Sequence, residues 1–369
     1  MDARTTITRL GCLAAGAVLA AGCSDAVGPD RGGFAHPLFA VALVDATIDQ
    51  RGGSLNERGF VLRKGFDAGN PHLGSAVVAT FFWYGSGTIT SVSDNLSNGI
   101  PVGNDYRLVD FVRAGNISMA TYVALDAQRF PPLYHDIDCS DGGCFDSLLV
   151  VRATFSDSVA GGVMISAFMG VDSVAAARSA SGSGSTAPTT ASVGGIPVNA
   201  GALVYGVTMA DAVVDPVRPA GYTMVYTMTE SEAPMWTDAE YAVQASAGSA
   251  DPQWQWAFSR PSTWLATAVA LNQVNRPPSV NAGADEKALS GFFYTLNATF
   301  GDPDNNGPWS YSIEWGDGST TTGTASSGGS ISAGHNYVSP LPSSYTIRVT
   351  VTDSRGASGS DTKVFTVGL

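Results

Sequence analysis

Short apolar segments with a two-residue alternation recur along most of the chain, and Gly, Pro, Ser and Asn separate them. The 3.6-residue apolar period of helices is almost absent between residues 38 and 274. Because nine strands at this spacing require two packed sheets, we predict an all-β chain in which residues 38–274 form a large, jelly-roll-like two-sheet β-sandwich. The predicted strands are Ala76 to Tyr84, Met119 to Leu125, Leu148 to Phe155, Val163 to Met169, Leu203 to Val207, Tyr222 to Met228, Ala239 to Gln244, Gln253 to Phe258 and Trp264 to Leu271.

The segment between Ala180 and Ala191 is rich in Ser, Gly and Thr. Its composition resembles that of a linker. Strands on both sides of it need one another to bury their apolar faces, so we predict a long exposed loop inside one domain.

The composition excludes several classes of protein. Only 14% of the residues are charged and 44% are hydrophobic, which argues against a disordered chain or a coiled coil. With 19 basic and 32 acidic residues the net charge is −13, so the sequence lacks the basic patch that binds a nucleic-acid backbone. The composition is typical of a secreted, β-rich surface protein, and we predict no nucleic-acid partner.

The N-terminus carries an export signal. Arg4 and Arg9 precede the apolar stretch from Leu10 to Gly22, which is too short to span a membrane comfortably. We therefore predict that residues 1–22 are a signal peptide. Residues 23–37 contain several Gly and Pro and are predicted to be a flexible tether.

The residues Ala20, Ala21 and Gly22 directly before Cys23 resemble the lipobox of bacterial lipoproteins. The resemblance implies that Cys23 is lipidated and becomes the mature N-terminus, so that the lipid attaches the chain to a membrane. Because Ser24 and not Asp follows the cysteine, the resemblance implies the outer membrane or cell surface of a bacterium. Ordinary signal cleavage nearby is the alternative.

Two cysteines remain for the folded part of the chain. Cys139 and Cys144 flank the turn-forming sequence Ser-Asp-Gly-Gly, which suits a small disulfide-closed loop in an oxidising compartment. A metal or redox site is the alternative. A zinc site needs further Cys or His ligands, and only His135 lies nearby in the sequence, so the spacing favours the disulfide.

The chain changes character after the Pro-rich junction at Asn275. Short alternating strands follow one another closely, as in a small β-sandwich of immunoglobulin size. The motifs of residues 276–367 resemble the PKD (polycystic kidney disease) domain, which implies a small immunoglobulin-like β-sandwich over residues 275–369, with Trp315 in its core. The motifs are Arg276 to Gly283, Gly301-Asp302-Pro303-Asp304, Glu314 to Ser319, His335-Asn336-Tyr337, and Tyr345 to Asp353 with Gly356.

The resemblance also implies one possible cofactor, because some PKD domains bind calcium near the Asp-Pro-Asp segment. Asp302, Asp304 and Asn305 supply the hard oxygen ligands that calcium favours. The alternative is an Asx turn, in which these side chains bind their own backbone. No bidentate Glu follows at a fixed offset, so the sequence favours the turn over calcium, and we expect no other cofactor.

Three tryptophans are candidate ligand contacts. Trp254 and Trp256 face the same side of a predicted strand, as in a carbohydrate platform. Gln253 and Gln255 alternate with them, which favours a half-buried strand with both tryptophans in the core. Trp236 is predicted to lie in a loop and is the better candidate for an exposed binding contact.

The sequence contains no catalytic motif of the His-Glu-x-x-His, Gly-x-Ser-x-Gly or Walker type. We therefore favour a non-enzymatic, lipid-anchored surface protein that uses its β-sandwich modules for adhesion or for binding an extracellular glycan or protein. The alternative is a secreted hydrolase of polysaccharide or protein with the PKD domain as its accessory.

Overall fold

The structure, a computed structural model, describes residues 46–66, 70–127, 148–185, 189–212, 217–230, 235–256, 260–289, 291, 293–339 and 342–368. All regular secondary structure in these ranges is β-strand, which confirms the predicted all-β class. The same ranges contain no helix that is long and apolar enough to cross a membrane.

Fifteen of the described strands precede the C-terminal sandwich, and they build two main sheets with a covering layer. They are β1 (Thr47–Gly65), β2 (Ala76–Tyr84), β3 (Ile89–Leu96), β4 (Arg107–Ala114), β5 (Ile117–Ala124), β6 (Leu149–Met169), β7 (Val171–Gly184), β8 (Thr189–Ser192), β9 (Ile196–Val198), β10 (Leu203–Ala210), β11 (Thr223–Glu230), β12 (Met235–Val243), β13 (Gly248–Ala250), β14 (Gln253–Trp256) and β15 (Ser262–Gln273).

The first sheet has the order β1-β6-β2-β5-β4, and β3 also pairs with β6. The second sheet has the order β11-β12-β10-β15-β7. A shared core lies between the two sheets, where the rings of Phe168 and Tyr205 meet edge to face at 5.7 Å. The region is therefore a sandwich of two antiparallel sheets, as predicted.

The first sheet also buries its other face. Successive residues of β2 point alternately into the shared core and into a second cluster that contains Trp83, so β2 is buried on both sides. This explains its continuous apolar sequence. Gly161 and Gly162 lie where β6 changes partner from β3 to β2; a Cβ at Gly161 would come within 2.1 Å of the Phe82 carbonyl oxygen. The close backbone approach therefore requires glycine.

The second sheet is covered on its outer side by the short strands β8, β9, β13 and β14. Trp254 and Trp256 of β14 are 0% exposed and pack on this sheet. A Cβ at Gly206 of β10 would lie 2.9 Å from the Trp254 ring, so the missing side chain makes room for it. The core interpretation of the two tryptophans is confirmed.

Two expectations for this region are wrong. The segments predicted as separate strands at 148–155 and 163–169 belong to one continuous strand, β6. The predicted loop after Ala180 is strand up to Gly184 and again from Thr189, because β7 pairs with β15 and β8 pairs with β14. Gly182 lies opposite Trp264, and a Cβ there would approach the indole ring to 2.7 Å. Here cross-strand packing overrides the loop-like composition.

The last eight described strands form a smaller sandwich with sheets β16-β18-β21 and β17-β23-β22-β19-β20. β17 runs parallel to β23, and the other pairs are antiparallel. The strands are β16 (Ser279–Asn281), β17 (Glu286–Leu289), β18 (Phe293–Gly301), β19 (Trp309–Glu314), β20 (Thr320–Ala325), β21 (Gly329–Asn336), β22 (Ser343–Thr352) and β23 (Ser358–Gly368).

Candidate functional site

A cleft of about 350 Å³ opens on the outer side of the second sheet, and we call it the outer cleft. Val217 and Gln255 bridge across it with reciprocal backbone hydrogen bonds of 2.8 and 2.9 Å. Because the residues of β14 alternate in direction, the side chains of Gln253 and Gln255 are exposed and line the cleft while the tryptophans between them are buried. The strand thus presents two amide groups to solvent.

Asp251 places a negative charge in the lining of the outer cleft. Its carboxylate accepts hydrogen bonds from Gln253 Nε2 at 2.7 Å, Ser192 Oγ at 2.8 Å and the backbone N–H of Gly194 at 3.2 Å. Partial burial raises the pKa of Asp251, but these hydrogen bonds outweigh it and lower the pKa below its usual range. The carboxylate is therefore ionised at neutral pH.

Two further carboxyl groups lie on β12 next to the outer cleft. Asp238 and Glu240 are two positions apart, so they share one face of the strand, and both are 0% exposed. Arg218, which lines the cleft, forms an ion pair with Asp238, with Nε 2.8 Å from Oδ2, and its Nη2 donates to Thr227 Oγ1 at 2.6 Å. The guanidinium therefore compensates the charge of Asp238.

Glu240 differs from Asp238, because neither of its carboxyl oxygens accepts a hydrogen bond within the described part of the chain. Burial and the nearby Asp238 carboxylate raise the pKa of Glu240 to about 8, although Arg218 opposes the shift. Burial, Glu240 and Asp251 together raise the pKa of Tyr222 to about 12. The site thus holds a neutral, buried carboxylic acid and an ionised carboxylate, and both lie near Tyr222.

The C-terminal sandwich closes around a dense aromatic cluster. Trp315 is 0% exposed, stacks on His335 at 4.7 Å, and donates from Nε1 to Thr321 Oγ1 at 2.9 Å. The Tyr337 hydroxyl donates to the Trp315 carbonyl at 2.7 Å. The predicted core position of Trp315 is confirmed, and each of these polar groups has a partner.

Residues 275–367 match the model of the PKD domain family. This part of the chain is a PKD domain. The resemblance predicted from the sequence is therefore confirmed for these residues. PKD domains are typical of extracellular bacterial proteins, which suggests that the chain is extracellular.

Two solved structures are similar to the PKD domain. The PKD domain of an M14-like peptidase from a Thermoplasmatales archaeon is 24% identical; the match covers 26% of this chain and 98% of that one, with a TM-score of 0.23. The PKD1 domain of Epp from Vibrio anguillarum is 22% identical; the match covers 26% of this chain and 99% of that one, with a TM-score of 0.20. No match is found among curated proteins.

The predicted calcium ligands lie in a loop of the PKD domain, where protein donors face two of them. Asp302 accepts hydrogen bonds from the backbone N–H groups of Asp304 at 2.9 Å and Asn306 at 3.0 Å, the geometry of the alternative Asx turn. Asp304 is buried and accepts from the backbone N–H and Nε of Arg276, both at 2.6 Å. Asn305 is exposed. The calcium site therefore gains no support from this geometry.

Among the described residues, no group of three or more His, Cys, Asp or Glu side chains is arranged to hold a metal ion. The loop instead joins the PKD domain to the end of β15. Gln273 Nε2 donates to Asp304 at 3.1 Å, and Arg355 donates to the Gln273 carbonyl at 2.6 Å and to Asp172 at 2.8 Å. These bonds link the PKD loops to β7 and β15 through charged and amide groups.

Trp236 lies at the second position of β12, so its assignment to a loop is wrong. Its ring is partly buried against the outer layer of the second sheet, and the indole nitrogen is buried without an acceptor among the described residues. The sequence missed that the strand begins before Ala239. Its role as a binding contact remains a prediction.

Several predicted features lie outside the described residues. They are the signal peptide of residues 1–22, the tether of residues 23–37, the lipidation candidate Cys23, and the disulfide candidates Cys139 and Cys144. Their assignments remain predictions from the sequence.

Sequence reasoning missed the outer cleft. One signal was present, because Asp238 and Glu240 stand in a strand whose other residues are uncharged, and charged residues are rarely buried. Arg218, Tyr222 and Asp251 come from other segments, and no spacing in the sequence shows that they meet.

Proposed function

We propose that the chain is a lipid-anchored, non-enzymatic protein of the bacterial cell surface that binds an extracellular glycan in the outer cleft. The lining of that cleft carries the proposal. Gln253, Gln255, Asp251 and Arg218 offer hydrogen-bond donors and acceptors, and Tyr222 adds an aromatic ring, within about 350 Å³. Sugar hydroxyls need such paired donors and acceptors, and sugar rings pack on aromatic faces.

The location in this proposal is supported by two independent features. The PKD domain is typical of extracellular bacterial proteins. The lipobox-like sequence before Cys23 supplies the anchor. Mass spectrometry of the membrane fraction tests it: we expect a diacylglyceryl mass on Cys23 and a Cys139–Cys144 peptide two hydrogens lighter than its reduced form. A Cys23→Ser chain that stays in the membrane fraction would contradict the anchor.

The binding part of the proposal is tested with the mature chain on a glycan array, followed by calorimetry on the glycans that bind. Because each amide can donate and accept hydrogen bonds at the cleft, Gln253→Ala and Gln255→Ala should each weaken binding about tenfold. Gln244→Ala is the matched control, since Gln244 is not part of the cleft lining. Binding that the cleft variants leave unchanged would overturn the assignment to this cleft.

One observation favours the alternative, a hydrolase. Glu240 and Asp251 are carboxyl groups whose pKa values are pushed in opposite directions, as in pairs that act as general acid and base. Glu240 is nevertheless 0% exposed, so a glycan in the cleft cannot touch its carboxyl group in this structure. Binding is therefore the better supported function. Release of reducing ends from bound glycans, abolished by Glu240→Gln, would favour the hydrolase instead.

A further inference from the structure

A second cleft, of about 510 Å³, lies at an irregularity of β1 and shares no lining residue with the outer cleft. The pairing of β1 with β6 shifts between Gly59 and Val61, which leaves Phe60 outside the regular register. Phe60 is 57% exposed and lines the cleft. A large aromatic ring is thus held in solvent beside a cavity.

Two arginines stand side by side in this cleft. Arg63 of β1 and Arg152 of β6 are direct register partners. Their strand neighbours Leu62, Val151 and Ala153 are 0% exposed, so both guanidinium groups lie on the solvent side of the sheet. Like charges directly opposite each other on neighbouring strands destabilise a sheet. The pair therefore costs stability in the free protein.

The described residues of the cleft offset this repulsion only in part. Neither guanidinium group forms a hydrogen bond or an ion pair there. Glu57 also lines the cleft, but its carboxylate accepts hydrogen bonds from Ser54 Oγ and from the backbone N–H of Arg63, both at 2.9 Å. An external oxyanion would bind between the two guanidinium groups and offset their repulsion.

We propose that this cleft binds the acidic group of an extracellular sugar, with Arg63 and Arg152 holding a carboxylate or sulfate and Phe60 packing on the sugar ring. The charge of the cleft carries the choice of ligand, because three arginines and one glutamate line it in a chain of net charge −13. Long polyanions such as nucleic acid are repelled by that net charge. A single acidic sugar interacts with the local pair within about one Debye length, ~8 Å at physiological salt.

The test uses the mature chain and two matched pairs of probes: trigalacturonic acid with its methyl ester, and dextran sulfate oligomers with dextran. We expect calorimetry to show binding of the charged member of at least one pair and about tenfold weaker binding of its neutral partner. Arg63→Gln and Arg152→Gln should each weaken the charged interaction about tenfold, and Phe60→Ser should weaken it while keeping its salt dependence. Arg107→Gln, which changes an arginine with an 82% exposed side chain, should change nothing.

A stability measurement separates binding from a fold defect. Because the arginine pair is repulsive, Arg152→Gln should unfold at the same or a higher temperature than the wild type while losing affinity. The proposal is overturned if no charged probe binds, if the methyl ester or dextran binds equally well, or if the arginine variants bind unchanged. Equal affinity for a short DNA duplex would show a general polyanion surface and also overturn it. All these outcomes are independent of the glutamine variants at the outer cleft.

Discussion

The PKD domain and the outer side of the second sheet differ in how several of their buried polar side chains are satisfied. In the PKD domain, Asp304 accepts hydrogen bonds from Arg276 and Gln273, and the Trp315 indole nitrogen donates to Thr321. In the outer layer, Glu240 accepts no hydrogen bond and the indole nitrogen of Trp254 reaches no acceptor among the described residues. Each buried polar group without a partner costs about 1–3 kcal/mol.

The difference distinguishes a scaffold from a site. A hydrogen-bonded polar network fixes geometry, and the bonds of Asp304 and Arg355 hold the PKD loops on the strands before them. Buried polar groups without hydrogen-bond partners destabilise the folded state, and proteins retain such groups mainly where function needs them. In this chain the unsatisfied acid Glu240 lies near Tyr222, which lines the outer cleft.

The largest change in stability is expected in the PKD domain, where a buried carboxylate has its hydrogen-bond partners. Asp304→Ala removes the acceptor of a guanidinium whose side chain is only 24% exposed, and Gln273 also loses its partner. We expect the free energy of unfolding to fall by about 3 kcal/mol, because removing one member of a buried pair leaves the other charge uncompensated. Urea unfolding followed by tryptophan fluorescence measures the loss.

Asp105→Ala is the matched control, since it removes an Asp–Arg pair whose side chains are 73% and 82% exposed. Exposed pairs contribute little, so this change should alter the free energy of unfolding by no more than about 0.5 kcal/mol. Equal losses for Asp304→Ala and Asp105→Ala would show that the junction network does not stabilise the chain.

Glu240→Gln should instead increase the stability of the chain above neutral pH. The folded state keeps Glu240 protonated up to pH about 8, whereas the unfolded chain releases the proton near pH 4.5. The wild type therefore loses stability as the pH rises between these values, by about 1.4 kcal/mol per pH unit at most. The variant lacks this loss, so its thermal midpoint should exceed that of the wild type at pH 8.5 and approach it at pH 4.

Glu314→Gln makes the same chemical change at an exposed position of the PKD domain. It should leave the pH dependence of the thermal midpoint as in the wild type. A Glu240→Gln chain that is less stable than the wild type at pH 8.5 would mean that Glu240 is ionised and stabilised by Arg218, and the contrast between the two regions would fail.

Much of the fold could be predicted, because strands buried on one or both faces leave an apolar pattern. Ala76–Tyr84 was predicted with its observed bounds, since both of its faces are buried. β1 was missed: Thr47–Gly65 is rich in charged residues and glycine, and it becomes a strand by pairing along nearly the whole of β6. Such a pairing depends on a partner about a hundred residues away, which local propensity does not report.

The candidate sites were less predictable than the fold. The motifs of the PKD domain identified its core residue Trp315, because an aromatic core leaves a conspicuous local pattern. The two clefts combine residues from separate segments, as in the pairing of Arg63 with Arg152. Only the register of two distant strands makes those charges neighbours, so their repulsion is invisible in the sequence.

The smallest change in stability is expected at Asp317 of the PKD domain, and it should appear only above acid pH. Burial raises the pKa of Asp317, but hydrogen bonds from Ser319 and the contact with His335 Nε2 at 2.7 Å lower it to about 2. The carboxylate therefore stabilises the PKD domain above pH about 4, and this stability is lost as the pH falls through 2. Because the side chain is 26% exposed, we expect Asp317→Asn to cost only about 1 kcal/mol at pH 6 and nothing at pH 2.

Thermal unfolding between pH 2 and 6, with Asp126→Asn as the exposed control, measures this loss of stability. A variant that is equally destabilised at both pH values would mean that the residue acts by packing. The expected slopes are opposite in sign, since stability from Asp317 rises with pH and stability around Glu240 falls.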